Sequence, residues 1–446
     1  MTVSYGRRLG RRPMEQASKS SHQNVINDAE VQNFLGRCAL PRSASDVSVN
    51  EHVLLDYEPV PVNPIRHIVA VDSGFTEVPV QKNFPSSTLC FFQFGALMFS
   101  VADLESLEQS PFIDPEDMAK LKRIERLKLT LPIRNIALKD QPTLTASVRA
   151  ALYDFFAQVR DDTNMLETLR WFLFEEYLHA ADEYNLASCP ECEKANVTVH
   201  RAEVTKEGRF PCDKCNATLY LTDVFRLHEA VDDTVGAGGI LGYVTTLLEQ
   251  FVMVHFLRLI LEQRPALLKE VLFIKDGPLA FFGQTANMYK KMRALVRYLF
   301  DQHNLYMAGL EKSGAFVEHA AEVSTAMKDG TVLILDNDYI YKYIIPGKAD
   351  PANPYGRTTY YSGKLIFKSR HAGVYVVTVP TTETLASPKL EDLPNLMAIL
   401  TNIEKLRCDM YDDALIPIAL VNKLVSLANH PSSKILQRFA VESVPH

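Results

Sequence analysis

Ile68-Val69-Ala70-Val71-Asp72-Ser73-Gly74 is an apolar, β-branched run that stops at an aspartate and a turn pair. Leu272-Phe273-Ile274-Lys275-Asp276-Gly277-Pro278-Leu279-Ala280 repeats the pattern much later in the chain. Runs of this kind favour buried strands, and an ionised carboxylate at the end of one is costly unless it is paired, hydrogen-bonded or bound to a cation. An Asp-Gly pair alone is an ordinary turn. Two strands ending in carboxylates instead suggest a divalent metal site, and the choice between the readings rests on what surrounds them.

Working outward, residues 68–72, 77–81 and 88–101 read as three strands of a meander, with turns at Ser73-Gly74 and Asn83-Phe84-Pro85. Residues 27–37, 115–129, 145–161 and 164–183 carry helical spacing. A glycine-rich approach, residues 236–242, opens a long apolar helix over 243–263 just ahead of the second aspartate. Beyond it come a helix over 286–302, strands over 305–310, 331–335, 339–345, 360–368 and 374–379, and closing helices around 393–407 and 413–428. This order predicts an α/β chain: a ribonuclease-H-like mixed sheet flanked by helices, with a helical insertion and a four-cysteine zinc ribbon. The expected division is a basic arm and short helix (1–60), a core (61–145 and 225–446), and an insertion (146–224) holding the ribbon (186–222).

The 446 residues are 47% hydrophobic and 23% charged, an ordinary globular balance. A net charge of −7 argues against a general nucleic-acid sponge but leaves room for a local basic groove. The most apolar stretch, 243–261, contains Glu249, Gln250, His255 and Arg258, so it reads as a buried helix and no membrane association is expected. The N-terminus lacks the apolar core of a secretory signal, although Arg7, Arg8, Arg11 and Arg12 near serines also fit a transit segment. Three of the seven cysteines are isolated and four form tight pairs, which fits a reducing cytoplasm.

Those pairs, Cys189-Pro190-Glu191-Cys192 and Cys212-Asp213-Lys214-Cys215, make C-x2-C-x19-C-x2-C, the spacing of two knuckles closing one structural zinc site. Four thiolates leave no open position for catalysis. Glu249 sits among apolar neighbours on all faces of its helix and needs a partner: an internal salt bridge to Arg258, a hydrogen bond to a neighbouring helix, or a metal beside Asp72 and Asp276. Glu262, at the solvated helix end, is the lesser candidate. Lys312 lies where a strand meets a glycine turn, a place suited to phosphate or to a merely solvated lysine. Asp336 and Asp338 read as a hairpin turn. Lys290, Lys291, Arg293 and Arg297 line a helix that either contacts a nucleic-acid backbone or is a solvated face. No serine occupies a nucleophile elbow, and no Walker A loop is present.

Together, Val69 to Gly74, the Glu249 helix, Phe273 to Leu279 and Gly309-Leu310-Glu311-Lys312-Ser313-Gly314 resemble the NurA nuclease family, over residues 65–439. The resemblance implies a ribonuclease-H-like DNA nuclease using manganese or magnesium, a homodimer docked on a HerA-type hexameric translocase, in DNA end processing or anti-phage defence. It implies Asp72, Glu249 and Asp276 as metal ligands and Lys312 as the basic residue of the site. The family usually carries a histidine in a Pro-containing helix near the C-terminus. The matching stretch, Ile416-Pro417-Ile418-Ala419-Leu420-Val421-Asn422-Lys423, offers Asn422, with His430 in the loop beyond. That departure keeps open a non-catalytic DNA clamp or adaptor of the translocase.

Overall fold

The computed structural model describes residues 25–47, 54–81, 85–103, 124–160, 162–408, 414–427 and 432–444. The arginines of the basic arm, His430 and the Asn83-Phe84 turn lie outside the described residues. Among those described, nine strands form one mixed sheet in the order β1-β11-β12-β13-β10-β9-β2-β3-β4. They are β1 (Leu54–Asp56), β2 (His67–Gln81), β3 (Ser87–Ser100), β4 (Ile124–Arg134), β9 (Val271–Asp276), β10 (Tyr306–Glu311), β11 (Thr331–Ile334), β12 (Ser362–Lys368) and β13 (Val374–Pro380). Between β4 and β9 in sequence, β5 (Glu183–Ser188) pairs with β6 (Ala195–His200), and β7 (Arg209–Pro211) with β8 (Thr218–Tyr220).

The half β4-β3-β2-β9-β10 is an antiparallel meander followed by two strands parallel to its first member, the ribonuclease-H-like arrangement. β13, β12, β11 and β1 extend it antiparallel on the far side.

The helices are α1 (Ala29–Gly36), α2 (Leu144–Ala157), α3 (Met165–Leu173), α4 (Leu241–Gln263), α5 (Met288–His303), α6 (Ala315–Val323), α7 (Asn337–Tyr343), α8 (Leu396–Lys405), α9 (Ile416–Val425) and α10 (Ser432–Ser443). Pleating sends Val69, Val71 and Phe273 into one apolar layer with α2 to α5 and the β5–β8 ribbons. Ile68, Ala70 and Ile274 join α8 and α9 on the opposite face. α4 is long and apolar enough to span a membrane, yet Leu247 to Val254 are all buried inside the protein.

Four expectations need correction. β2 runs unbroken through Ser73-Gly74, so Asp72 sits mid-strand rather than at a strand end. The helix expected over 115–129 is contradicted from Ile124 onward, where β4 buries Leu127, Leu129, Leu131 and Ile133 and exposes Arg126, Lys128 and Thr130. The strand expected over 339–345 is α7, because Asp336 is not a hairpin residue but an N-cap whose carboxylate accepts from Tyr339 N at 2.7 Å. The helix from Asn164 stops at Leu173, and Glu175 and His179 take positive φ (48° and 51°) before β5 begins.

Gly74 is needed not for a turn but for close packing. A Cβ there would lie 2.6 Å from Val425 O, and one at Gly95 2.6 Å from Val425 Cγ1. Gly95 pairs with Asp72, so α9 rests directly on the strands at the level of that carboxylate. Gly74→Ala and Gly95→Val are each expected to destabilise the protein by roughly 1–3 kcal/mol through overpacking, read as a lower urea midpoint at unchanged slope.

Candidate active site

β2 and β9 pair in parallel with Val71 opposite Lys275, which makes Asp72 and Asp276 neighbours at the next position. β9 ends there, and β10 one residue past its own partner of Asp276, while β2 continues along β3. The sheet therefore opens where β2 and β9 part, with Asp276 about one-fifth exposed at the opening and Asp72 buried just behind it. Asp276 Oδ2 accepts from Lys312 Nζ at 2.8 Å, and Lys312 is about one-third exposed. Gly277, at φ 85°, turns the chain sharply after Asp276, and its N–H donates to Leu310 O. The following loop is tied down by Gln250, whose amide donates to Ala280 O and accepts from Tyr361.

Asp72 is 4% exposed. Its Oδ1 accepts from Ser73 N at 2.7 Å, whereas Oδ2 is buried with no hydrogen-bond partner. Burial, then the charges of Asp276 and Glu249, push its carboxyl up to about 7, against the smaller lowering effects of Ser73 N–H and Lys312. An orphaned carboxylate oxygen beside a second carboxylate is a donor set that fits a hard divalent cation.

Glu249, buried on α4, approaches from the other face. Its Oε2 lies 2.6 Å from Lys275 Nζ, and its Oε1 accepts from Ser73 Oγ. The internal pairing considered for Glu249 is thus present, but with Lys275; Arg258 pairs instead with Glu262 and Glu167. Lys275 had no assigned part in the sequence reading, although a lysine inside an apolar strand was a visible signal. Asn422 is exposed on α9.

The basic row of α5 is largely engaged within the chain. Lys291 pairs with Glu175 at 2.7 Å, Arg293 donates to Tyr360 O at 2.6 Å and Arg297 to Thr382 O at 3.2 Å, while Lys290 is exposed.

Cys189, Cys192, Cys212 and Cys215 have all four sulfurs within 4.8 Å of one another, the one such cluster of possible metal ligands among the described residues. Cys189 Sγ to Cys215 Sγ and Cys192 Sγ to Cys212 Sγ are both 3.9 Å, against edges of roughly 3.8 Å for a tetrahedron with zinc–sulfur arms of about 2.3 Å. The two knuckles match: Glu193 N donates to Cys189 O and Asn216 N to Cys212 O, both residues at positive φ. Arg149 of α2 binds Asp223 through Nε and Nη2, and Glu191 of the first knuckle through Nη1 at 2.6 Å.

No known family model matches the chain, and no curated protein does. Among solved structures it is similar to the NurA nuclease from Sulfolobus solfataricus, with 7% identity and a TM-score of 0.34 over 95% of this chain and 97% of that one. It is also similar to NurA with manganese (11% identity, TM-score 0.30, 96% and 99% covered). A third likeness is to NurA bound to dAMP and manganese (11%, 0.29, 97% and 98%).

A raised Asp72 pKa means the folded chain binds more protons than the unfolded one between the ordinary 3.8 and about 7. Stability therefore falls as pH rises through that window. In manganese- and magnesium-free buffer with the cysteine site loaded, the wild type should lose thermal stability relative to Asp72→Asn between pH 4 and pH 8. A constant difference across that range would contradict the environment described for Asp72.

Proposed function

We propose that the chain is a metal-dependent phosphodiester hydrolase acting on DNA. The observation that carries this reading is the pairing of Asp72 and Asp276 at the opening of the sheet, with one buried carboxylate oxygen unpartnered and Lys312 alongside. The two carboxylates would hold a divalent cation, manganese or magnesium, which when bound lowers the pKa of a water and stabilises charge on phosphate oxygens. Lys312 would place its ammonium against the scissile phosphate, offsetting the charge that grows there during hydrolysis. α9 and the buried layer beneath it hold Asp72 in place and keep bulk water from its inner oxygen. The four cysteines would hold zinc as a structural ion, with Arg149 tying the knuckle to α2.

From the sequence resemblance come three further parts of this proposal: a homodimer, a HerA-type hexameric translocase as partner, and work in DNA end processing or defence. Lys290, Lys291, Arg293 and Arg297 remain the proposed contacts to the nucleic-acid backbone. A second reading, a non-catalytic DNA clamp or adaptor of the translocase, is favoured by Asn422 at the family's histidine position and by the engagement of Glu249 with Lys275.

Purified protein with linear DNA and manganese, alone and with the translocase, separates the two. Hydrolysis is expected, and Asp72→Asn and Asp276→Asn should each slow it by roughly a hundredfold or more with an unchanged circular dichroism spectrum. Retained cleavage in either variant sinks the site assignment, and no cleavage in any arm alongside tight translocase binding selects the adaptor. Elemental analysis should find one zinc per chain, and Cys189→Ser should lose it with a lower melting temperature.

A further inference from the structure

Lys275 is 2% exposed at the penultimate position of the apolar strand β9, a placement that needs a dedicated anionic partner. Its Nζ lies 2.6 Å from Glu249 Oε2 and donates to the backbone carbonyl of Asp276. Gly277 leaves the space for it: a Cβ there would come within 3.3 Å of the ammonium. The second oxygen of Glu249 is taken by Ser73 Oγ, so both are engaged, in contrast to the free Oδ2 of Asp72. Pleating reinforces the division, since Ser73 and Lys275 face α4 while Asp72 and Asp276 face away from it.

We infer that Lys275 withholds Glu249 from metal binding, so that the site takes a single divalent ion at Asp72 and Asp276 while Glu249 anchors Lys275. This rests on the hydrolase reading above. A two-metal centre needs carboxylates shared between ions about 3.5–4 Å apart. Here three carboxylates stand against two ammoniums, Lys275 and Lys312, which leaves one net negative charge, and a single divalent ion already more than offsets it. A second ion would meet a buried ammonium in place of a free carboxylate. Lys275 is thus a positioning residue, acting through Glu249 and the Asp276 backbone.

The test is manganese binding to the zinc-loaded full chain, counted by electron paramagnetic resonance and titration calorimetry. The wild type should bind one ion, Glu249→Gln should bind one with affinity within about threefold, and Asp72→Asn should lose at least a hundredfold. Lys275→Met, which frees Glu249, should bind a second ion. Two ions in the wild type, a tenfold or greater loss in Glu249→Gln, or a folded Lys275→Met still limited to one ion overturns the inference. If Lys275→Met does not fold, the Glu249→Gln arm decides. An absence of binding by the wild type overturns the hydrolase reading along with it, which distinguishes the two failures.

Discussion

The parallel pairing of β2 with β9 is the constraint from which the centre follows. Because Val71 lies opposite Lys275, the next residues along, Asp72 and Asp276, are brought together without any loop having to place them. The same register puts Ser73 and Lys275 within reach of Glu249 on α4. A slip of β9 by one residue would turn Lys275 to the face that Asp72 occupies and bury Asp276 under α4. Register here is a matter of charge placement as well as of apolar burial.

Buried ion pairs join neighbouring elements at several places in the fold. Lys275 and Glu249 join β9 to α4. Lys364 on β12 reaches Glu311 at the end of β10 at 2.7 Å, and its ammonium lies 3.3 Å from the centre of the Phe316 ring. Arg149 joins α2 to the segment around Asp223 and to the first knuckle. Such pairs contribute little net stability compared with apolar substitutes, but breaking one leaves a buried charge, which disfavours misaligned arrangements. The Glu311 pair lies at the end of β10, immediately before Lys312, which reaches Asp276.

Much of the ribonuclease-H-like order was legible in the sequence because β9, β10 and β13 are largely apolar runs and α4 has no polar face. The four-cysteine spacing was legible for a similar reason, since ligand geometry restricts it to few separations. What misled was local. Ser73-Gly74 has turn chemistry, yet the glycine serves close helix packing, a tertiary fact invisible along the chain. Tyr339 to Ile345 is made almost wholly of the aromatic and β-branched residues that favour strands, but one capping carboxylate at Asp336 directs it into a helix. In β4 the period of two was present in Leu127, Leu129, Leu131 and Ile133, overlaid by charged neighbours that also suit a helix. The pairing of Glu249 with Lys275 depended on which strand face meets α4, and no spacing in the sequence states that.

The seat of α9 on Gly74 and Gly95 has a consequence for the order in which the protein comes into being. α9 follows every other element of the centre in the chain, yet it is the element packed on β2 and β3 beside Asp72. During synthesis the sheet, α4 and both aspartates emerge before their cover does. A ribosome-bound or prematurely terminated chain that stops short of α9 would leave Asp72 open to bulk water, its charge solvated and its position slack. The close fit at Gly74 and Gly95 would then be completed late, by a helix that supplies shape.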